Sequence, residues 1–144
     1  MSAVESITGH LTHTLSASEP LNAPWVERGG VFWLDYPNLE VREVALAMNA
    51  VGARFITITA YERPGQDGLR LEYHWDLAGR LLGFNFALVG NSIESIYDIC
   101  EAVDWIEREI HEGFNIEFTG HDYEPLLLRE GNVCGVNLRE EVSK

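Results

Sequence analysis

The sequence predicts an α+β fold, a two-layer sandwich in which a mostly antiparallel sheet carries helices on one face. Residues 54–61 and 69–75 alternate in hydropathy, are rich in β-branched and aromatic side chains, and flank a Pro-Gly and Asp-Gly turn, which predicts a β-hairpin. Residues 39–51 instead repeat apolar side chains at helical spacing. The predicted order is strand, helix, three strands, helix, short strand and tail, so strands and helices segregate along the chain.

The first half of the chain supplies most of the predicted sheet. A compact apolar strand, Val31–Leu34, follows a Gly-Gly turn. Asn38 is placed to cap the helix 39–51, and Gly52 to end it, because glycine readily adopts the left-handed conformation that closes a helix. Residues 82–89 form the third strand of an antiparallel meander.

The second half predicts two helical stretches and a short strand. Asn91 and Glu94 form a capping pair that predicts a helix start between them. A second helical stretch occupies residues 104–113, and Gly113 is placed to end it. A strand-like run follows at residues 115–121.

Length and charge limit the organisation and the partners of the protein. The 144 residues suit one domain, which we assign to residues 25–130, with an N-terminal arm at 1–24 and a C-terminal tail at 131–144. The formal net charge is −13. Nucleic acid and anionic lipid both require a basic surface, so this charge argues against either as a direct partner and fits a basic protein surface or simple solubility.

Cysteine content and hydropathy further limit the class of protein that the sequence can represent. Cys100 and Cys134 are too few to ligate an iron-sulfur cluster and lack close spacing, so two buried thiols are expected. No apolar run is long enough to span a bilayer, and the N-terminus lacks the pattern of a secretion signal. The sequence therefore predicts a cytoplasmic protein that reaches a membrane only through a partner.

The helical stretch at 104–113 concentrates charged side chains on one of its faces. Asp104, Glu107 and His111 share that face because positions three and four apart are neighbours on a helix. Glu107 lies close to the apolar stripe, so partial burial is expected. Arg108 is placed to pair with Asp104 one turn earlier or with Glu112 one turn later.

The opposite face of the same stretch predicts a docking surface. Trp105, Glu109 and Glu112 point outward at helical spacing. An outward tryptophan beside an arginine is typical of an interface, because these two residue types supply much of the binding energy at hot spots. In the alternative interpretation, Trp105 folds under a loop and the charges only keep the helix soluble.

Two enzymatic alternatives use the same residues. Glu107, His111 and His121 offer carboxylate and imidazole ligands for a metal such as zinc. Glu107 and His111 in a cleft would instead serve as an acid/base pair in a stand-alone enzyme, with the pKa of Glu107 raised by apolar surroundings. The sequence contains no nucleophile triad spacing and no phosphate-binding glycine loop.

A spaced pattern across this region carries a resemblance to a known family. The pattern consists of Glu107-Arg108-Glu109, Glu112, Phe114, His121, Pro125, Leu127 and Leu128, with Trp105 and Gly120 also in place. It resembles the signature of the 30 kDa subunit family of respiratory complex I, NADH-quinone oxidoreductase. Relatives in that family include the small subunit of membrane-bound, energy-converting nickel-iron hydrogenases and of formate hydrogenlyase.

The resemblance implies the function, the partners and the site. It implies a non-catalytic subunit of a membrane-bound electron-transfer complex that braces the large, 49 kDa-type or hydrogenase-like subunit and the adjoining iron-sulfur subunit. The protein would hold no cofactor; iron-sulfur and nickel-iron or quinone sites would lie in partner subunits, on the inner face of the cell membrane. The implied interface comprises Trp105, Glu107, Arg108, Glu109, Glu112, Phe114, Gly120 and His121.

Two departures from the family pattern bear on which assembly is expected. Gly113 stands where the family has an apolar residue. The tail reads Gly135-Val136-Asn137-Leu138-Arg139-Glu140, where complex I members usually continue into a Pro-Leu-Arg-Lys-Asp-Tyr-Pro segment. The second departure favours a hydrogenase-type assembly over complex I itself.

Overall fold

The computed structural model describes residues 25–34, 40–62, 69–88, 90–122 and 126. In this part of the protein, seven strands and two α-helices form an α+β fold. The elements are β1 (Trp25–Arg28), β2 (Val31–Leu34), α1 (Val41–Ala50), β3 (Arg54–Glu62), β4 (Leu69–Leu77), β5 (Arg80–Ala87), β6 (Ser92–Glu94), a 3-10 helix (Glu101–Val103), α2 (Asp104–Phe114) and β7 (Glu117–Thr119).

A five-stranded sheet forms the main layer, in the order β1-β2-β5-β4-β3. All neighbours in it are antiparallel except β2 and β5, which run parallel. Strands β6 and β7 form a separate parallel pair. The predicted α+β class and the mostly antiparallel main sheet are confirmed. The added strand β1 pairs with β2 across Gly29 and Gly30, which both have positive φ, as a tight reversal requires.

The core lies on one face of this sheet. In β4 every second side chain is buried, from Leu69 to Leu77, while the intervening ones are partly exposed. This alternation follows from the two-residue period of a strand. Helix α1 contributes its predicted apolar stripe, including Val44 and Met48, to the same core cluster. Each such side chain contributes roughly 1.5–3 kcal/mol when fully buried.

The prediction of a helix that begins between Asn91 and Glu94 is wrong. Residues Ser92–Glu94 form strand β6, and the backbone then turns before the 3-10 helix. The reason is tertiary pairing: the Glu117 amide donates to the Asn91 carbonyl at 2.7 Å, and the Ser95 amide donates to the Thr119 carbonyl at 2.9 Å. In a helix that starts at Asn91, the Ser95 amide would instead donate to the Asn91 carbonyl, so pairing with β7 takes both groups of the first helical hydrogen bond.

The predicted helix ends are partly confirmed. Gly52 follows α1 with a φ of +75°, as expected for a helix stop. Gly113 does not end α2; it is buried inside the helix, and Asn115 is the C-cap, with φ 58° and ψ 37°. Asparagine tolerates this left-handed conformation better than most residues with a Cβ.

Several predictions fall outside the described residues. These include the helix cap at Asn38, the arm at 1–24, the thiol of Cys134 and the tail at 131–144. Among the helices that are described, none has the length and apolar character needed to cross a membrane.

Candidate functional site

A fully buried carboxylate organises the inner side of helix α2. Glu107 has no solvent-exposed surface. The Ser95 hydroxyl donates to Glu107 Oε2 at 2.6 Å, and the Ile96 amide donates to Oε1 at 3.1 Å. His121 Nδ1 lies 2.8 Å from Oε2. A buried charge is tolerated only with such partners, so these contacts tie α2 to the segments on either side of it.

His121 links that carboxylate to a second one at the helix surface. Its Nε2 lies 2.9 Å from Asp104 Oδ1, while Arg108 Nη1 donates to Asp104 Oδ2 at 3.3 Å. The predicted pairing of Arg108 with Asp104 is confirmed. Tyr97 stacks on the imidazole, with ring centroids 4.7 Å apart and planes 3° from parallel. We call Ser95, Asp104, Glu107 and His121 the Glu107 network.

Burial and hydrogen bonding act in opposite directions on the Glu107 carboxyl. Burial raises its pKa, because desolvation penalises the charged form. The hydrogen bonds from Ser95, from the Ile96 amide and from His121 oppose the rise. The charged carboxylate is therefore poorly solvated, yet removal of the whole carboxyl group would leave buried donors without an acceptor.

A second set of contacts fixes the segment that supplies Ser95. Arg42 of α1 donates to the Ser95 carbonyl at 2.8 Å and to both Asp98 carboxylate oxygens at 2.7 and 2.8 Å. The same hydrogen bond raises the pKa of Arg42 and lowers that of Asp98. Asn49 donates to the Ile99 carbonyl at 3.0 Å. The loop between β6 and the 3-10 helix is therefore held from both α1 and α2.

The outer side of α2 presents an exposed aromatic ring. The Trp105 side chain is 71% exposed, more than any other large hydrophobic residue in the described part of the protein. Glu109, one turn later, and Glu101, one turn earlier, are also exposed. The alternative in which Trp105 folds under a loop does not hold for the residues described.

One predicted outward residue lies inside the fold. Glu112 is only 7% exposed, and its Oε1 accepts a hydrogen bond from the Leu126 amide at 2.6 Å. The expected outward orientation of Glu112 is therefore wrong, because the Leu126 amide lies against this side chain and uses the carboxylate as an acceptor. Phe114 is half-buried against the core, and Gly120 is an exposed turn residue with a φ of +91°.

The eight predicted interface residues thus fall into two groups. Glu107, Glu112 and His121 are buried within the protein itself, so they are suited to positioning α2 and not to contacting a partner directly. The remaining five keep exposed or partly exposed positions, namely Trp105, Arg108, Glu109, Phe114 and Gly120. Their contact with a partner stays a prediction.

The enzymatic alternatives find little support in this geometry. Glu107 is sealed from solvent, so it does not line an open cleft. His111 Nδ1 lies 2.9 Å from the Ile116 carbonyl. Within the described ranges, no group of three His, Cys, Asp or Glu side chains is arranged to hold a metal ion. A pocket lined by Glu40, Val41, Phe86 and Glu94, among others, uses none of the predicted catalytic residues.

No pattern in the sequence indicated that Ser95, Tyr97 and Arg42 belong to this site. Ser95 is 12 residues from Glu107, and Arg42 is 56 residues from Asp98. No local spacing rule connects residues so far apart, so the contacts follow only from the tertiary fold.

Known proteins share both the sequence pattern and the fold. The family profile described as the 30 kDa subunit of respiratory-chain NADH dehydrogenase matches residues 35–143. A trypsin-resistant fragment of Nqo5 has a TM-score of 0.57 at 18% identity, covering 79% of this protein and 96% of that fragment. A subunit of the membrane-bound sulfane sulfur reductase, an archaeal respiratory membrane complex, has a TM-score of 0.57 at 20% identity, covering 78% of this protein and 69% of that subunit.

The structural similarity and the family-profile match support different conclusions. At these identities the structural matches show a shared fold only. The profile match spans well over half of the protein and includes the whole region of the Glu107 network and the exposed face of α2. The resemblance drawn from the spaced pattern around Trp105 is therefore confirmed, and the protein belongs to the 30 kDa subunit family of respiratory-chain NADH dehydrogenase, whose members assemble into multisubunit respiratory complexes.

Proposed function

We propose that this protein is a non-catalytic subunit that braces the large, 49 kDa-type or hydrogenase-like subunit of a membrane-bound electron-transfer complex. In this role it keeps the large subunit and the adjoining iron-sulfur subunit in register, so that distances between redox centres stay constant. It contributes no cofactor of its own, lies on the cytoplasmic side and reaches the membrane only through its partners.

The exposure of Trp105 is the observation that carries this proposal. A ring that is 71% exposed sits on a helix whose opposite side is anchored by the buried Glu107 network. A rigid helix with an exposed tryptophan is suited to docking, because the large indole side chain loses little conformational freedom when a partner covers it.

The test uses Trp105→Ala with a matched control. Leu46 lies on α1 and is 52% exposed, so Leu46→Ala removes a large exposed side chain from the other helix. Tagged variants are expressed in the host that makes the complex, and the large subunit recovered with each tag is quantified. We expect Trp105→Ala to reduce that recovery several-fold and Leu46→Ala to leave it unchanged.

Thermal unfolding of the isolated variants distinguishes a lost interface from a folding defect. Both isolated variants should keep the thermal midpoint of the parent protein, because both side chains are exposed. Normal recovery of the large subunit with Trp105→Ala would contradict the proposal. Arg108→Ala is also expected to weaken assembly, but it is a less specific test, since Arg108 pairs with Asp104 inside the network.

Between the two kinds of assembly, we favour the hydrogenase type. The support is the tail sequence, which departs from the segment usual in complex I members. Neighbouring genes that encode a nickel-binding large subunit would agree with this choice, and genes for the other complex I subunits would reverse it.

A further inference from the structure

The charges around Trp105 limit which kind of partner side chain can cover its ring. Between residues 98 and 122 the sequence has eight Asp and Glu residues and a single Arg. That arginine, Arg108, is mostly buried, with 16% of its side chain exposed, and pairs with Asp104. Of the eight acids, Glu107 and Glu112 are buried and Asp98 pairs with Arg42. Glu101 and Glu109 are exposed, and no exposed Lys or Arg between residues 98 and 122 balances their charge.

Two exposed carboxylates lie four residues before and four residues after Trp105. Glu109 follows Trp105 by four residues along α2, which places it on the same helical face. Glu101 precedes Trp105 by four residues, at the start of the 3-10 helix that leads into α2. Among the ion pairs formed by described residues, none involves Glu101 or Glu109.

We propose that Trp105 receives a cationic group of the partner, an arginine or a lysine, held over the indole between the carboxylates of Glu101 and Glu109. This inference rests on the proposed function, in which the outer face of α2 meets another subunit. It adds the chemistry of the contact: a cation–π interaction supported by two flanking carboxylates, with arginine favoured because its planar guanidinium both stacks and pairs.

Other occupants fit this face less well. An apolar group over Trp105 would desolvate two neighbouring carboxylates without giving either a partner, which is costly. An acidic segment would be repelled by the same carboxylates. A cation satisfies the ring and the charges together, so charge complementarity selects it.

Ring electronics provide a direct test. Tryptophan with one, two or four ring fluorines is placed site-specifically at position 105, which weakens the attraction for a cation while nearly preserving size and hydrophobicity. Variant and parent proteins are co-expressed in the host that makes the complex. Intact mass spectrometry then compares their ratio in the purified complex with their ratio in the lysate.

We expect incorporation to fall stepwise with each added fluorine, reaching about fivefold for the most fluorinated ring, as a partly desolvated cation–π contact requires. Glu101→Gln with Glu109→Gln should lower incorporation as well and should make it less sensitive to salt, because a charge pairing is removed. Leu46→Ala serves as the neutral control.

The outcomes distinguish failure of this inference from failure of the proposed function. If the fluorinated proteins and Trp105→Leu assemble like the parent while Trp105→Ala does not, the helix is an interface but the cation is refuted. If Trp105→Ala also assembles normally, the interface itself is refuted. A cross-linked partner peptide that has no Arg or Lys opposite Trp105 would likewise overturn the inference.

Discussion

Replacing Glu107 tests whether the buried network holds helix α2 in place. In Glu107→Ala, the acceptor is lost for three groups: the Ser95 hydroxyl, the Ile96 amide and His121 Nδ1. Each buried donor left unsatisfied costs about 1–3 kcal/mol, and loss of one partner from a buried pair costs about 3–5 kcal/mol in total. Because the substitution also relieves the desolvated carboxylate, we expect the free energy of unfolding to fall by about 3 kcal/mol.

Glu107→Gln is the matched control because it keeps the shape and one oxygen acceptor. Its amide can donate to the Ser95 oxygen and to an unprotonated His121 Nδ1, so the network can survive in altered form. We expect a loss below about 1.5 kcal/mol, since the raised pKa shows that the charge itself is poorly accommodated. Urea unfolding of the full-length protein, followed by tryptophan fluorescence, measures both values.

The pH dependence of these curves gives an independent check. The Glu107 carboxyl has its pKa raised in the folded state from the ordinary value of 4.5, so the folded protein binds this proton more tightly. Its contribution to stability is fully present below that ordinary value and is lost as the pH rises through the folded pKa. The stability of the parent relative to Glu107→Gln should therefore decline above pH 4.5. Equal losses for Ala and Gln, with no pH trend, would refute the reasoning.

Three further predictions concern other parts of the fold. A Cβ at Gly83 would lie 2.6 Å from the Trp33 ring, so Gly83→Ala should cost about 1–3 kcal/mol by overpacking; an unchanged urea midpoint would contradict it. Asn115→Ala should lose about 1 kcal/mol because its φ is positive, whereas Asn115→Gly should match the parent. Burial raises the pKa of the Cys100 thiol from its ordinary value of 9.0. In Cys134→Ser protein, the rate at which Cys100 reacts with iodoacetamide should therefore still be rising at pH 9.0, and a plateau below that pH would contradict the prediction.

Local patterns in the sequence were sufficient for several elements. The hairpin of β3 and β4 follows from alternating β-branched residues around a turn, and α1 follows from its apolar stripe with Gly52 as the stop. Helical spacing predicted the outward position of Trp105, and it predicted that Arg108 pairs with Asp104 or Glu112; the structure contains the pair with Asp104. All of these depend on neighbours within about one turn or one strand, where backbone geometry sets the outcome.

Contacts between distant residues could not be anticipated in the same way. The pair Asn91 and Glu94 matched a capping pattern, yet pairing with β7 made that stretch a strand. Gly113 matched a helix stop, yet the helix continued to Phe114 and used Asn115 as its cap. In each case a local preference worth about 1 kcal/mol was outweighed by backbone pairing and burial elsewhere in the fold.

The sequence by itself determined the α+β class, the family and the exposed tryptophan of α2, because each depends on residue spacing along the chain. Only the tertiary structure decided that Glu112 and His121 turn inward and that Glu107 is fully and not partly buried. The physical reason is that a carboxylate can be buried only where donors converge on it. For Glu107 those donors come from Ser95, Ile96 and His121, which the fold brings together from both sides of the helix.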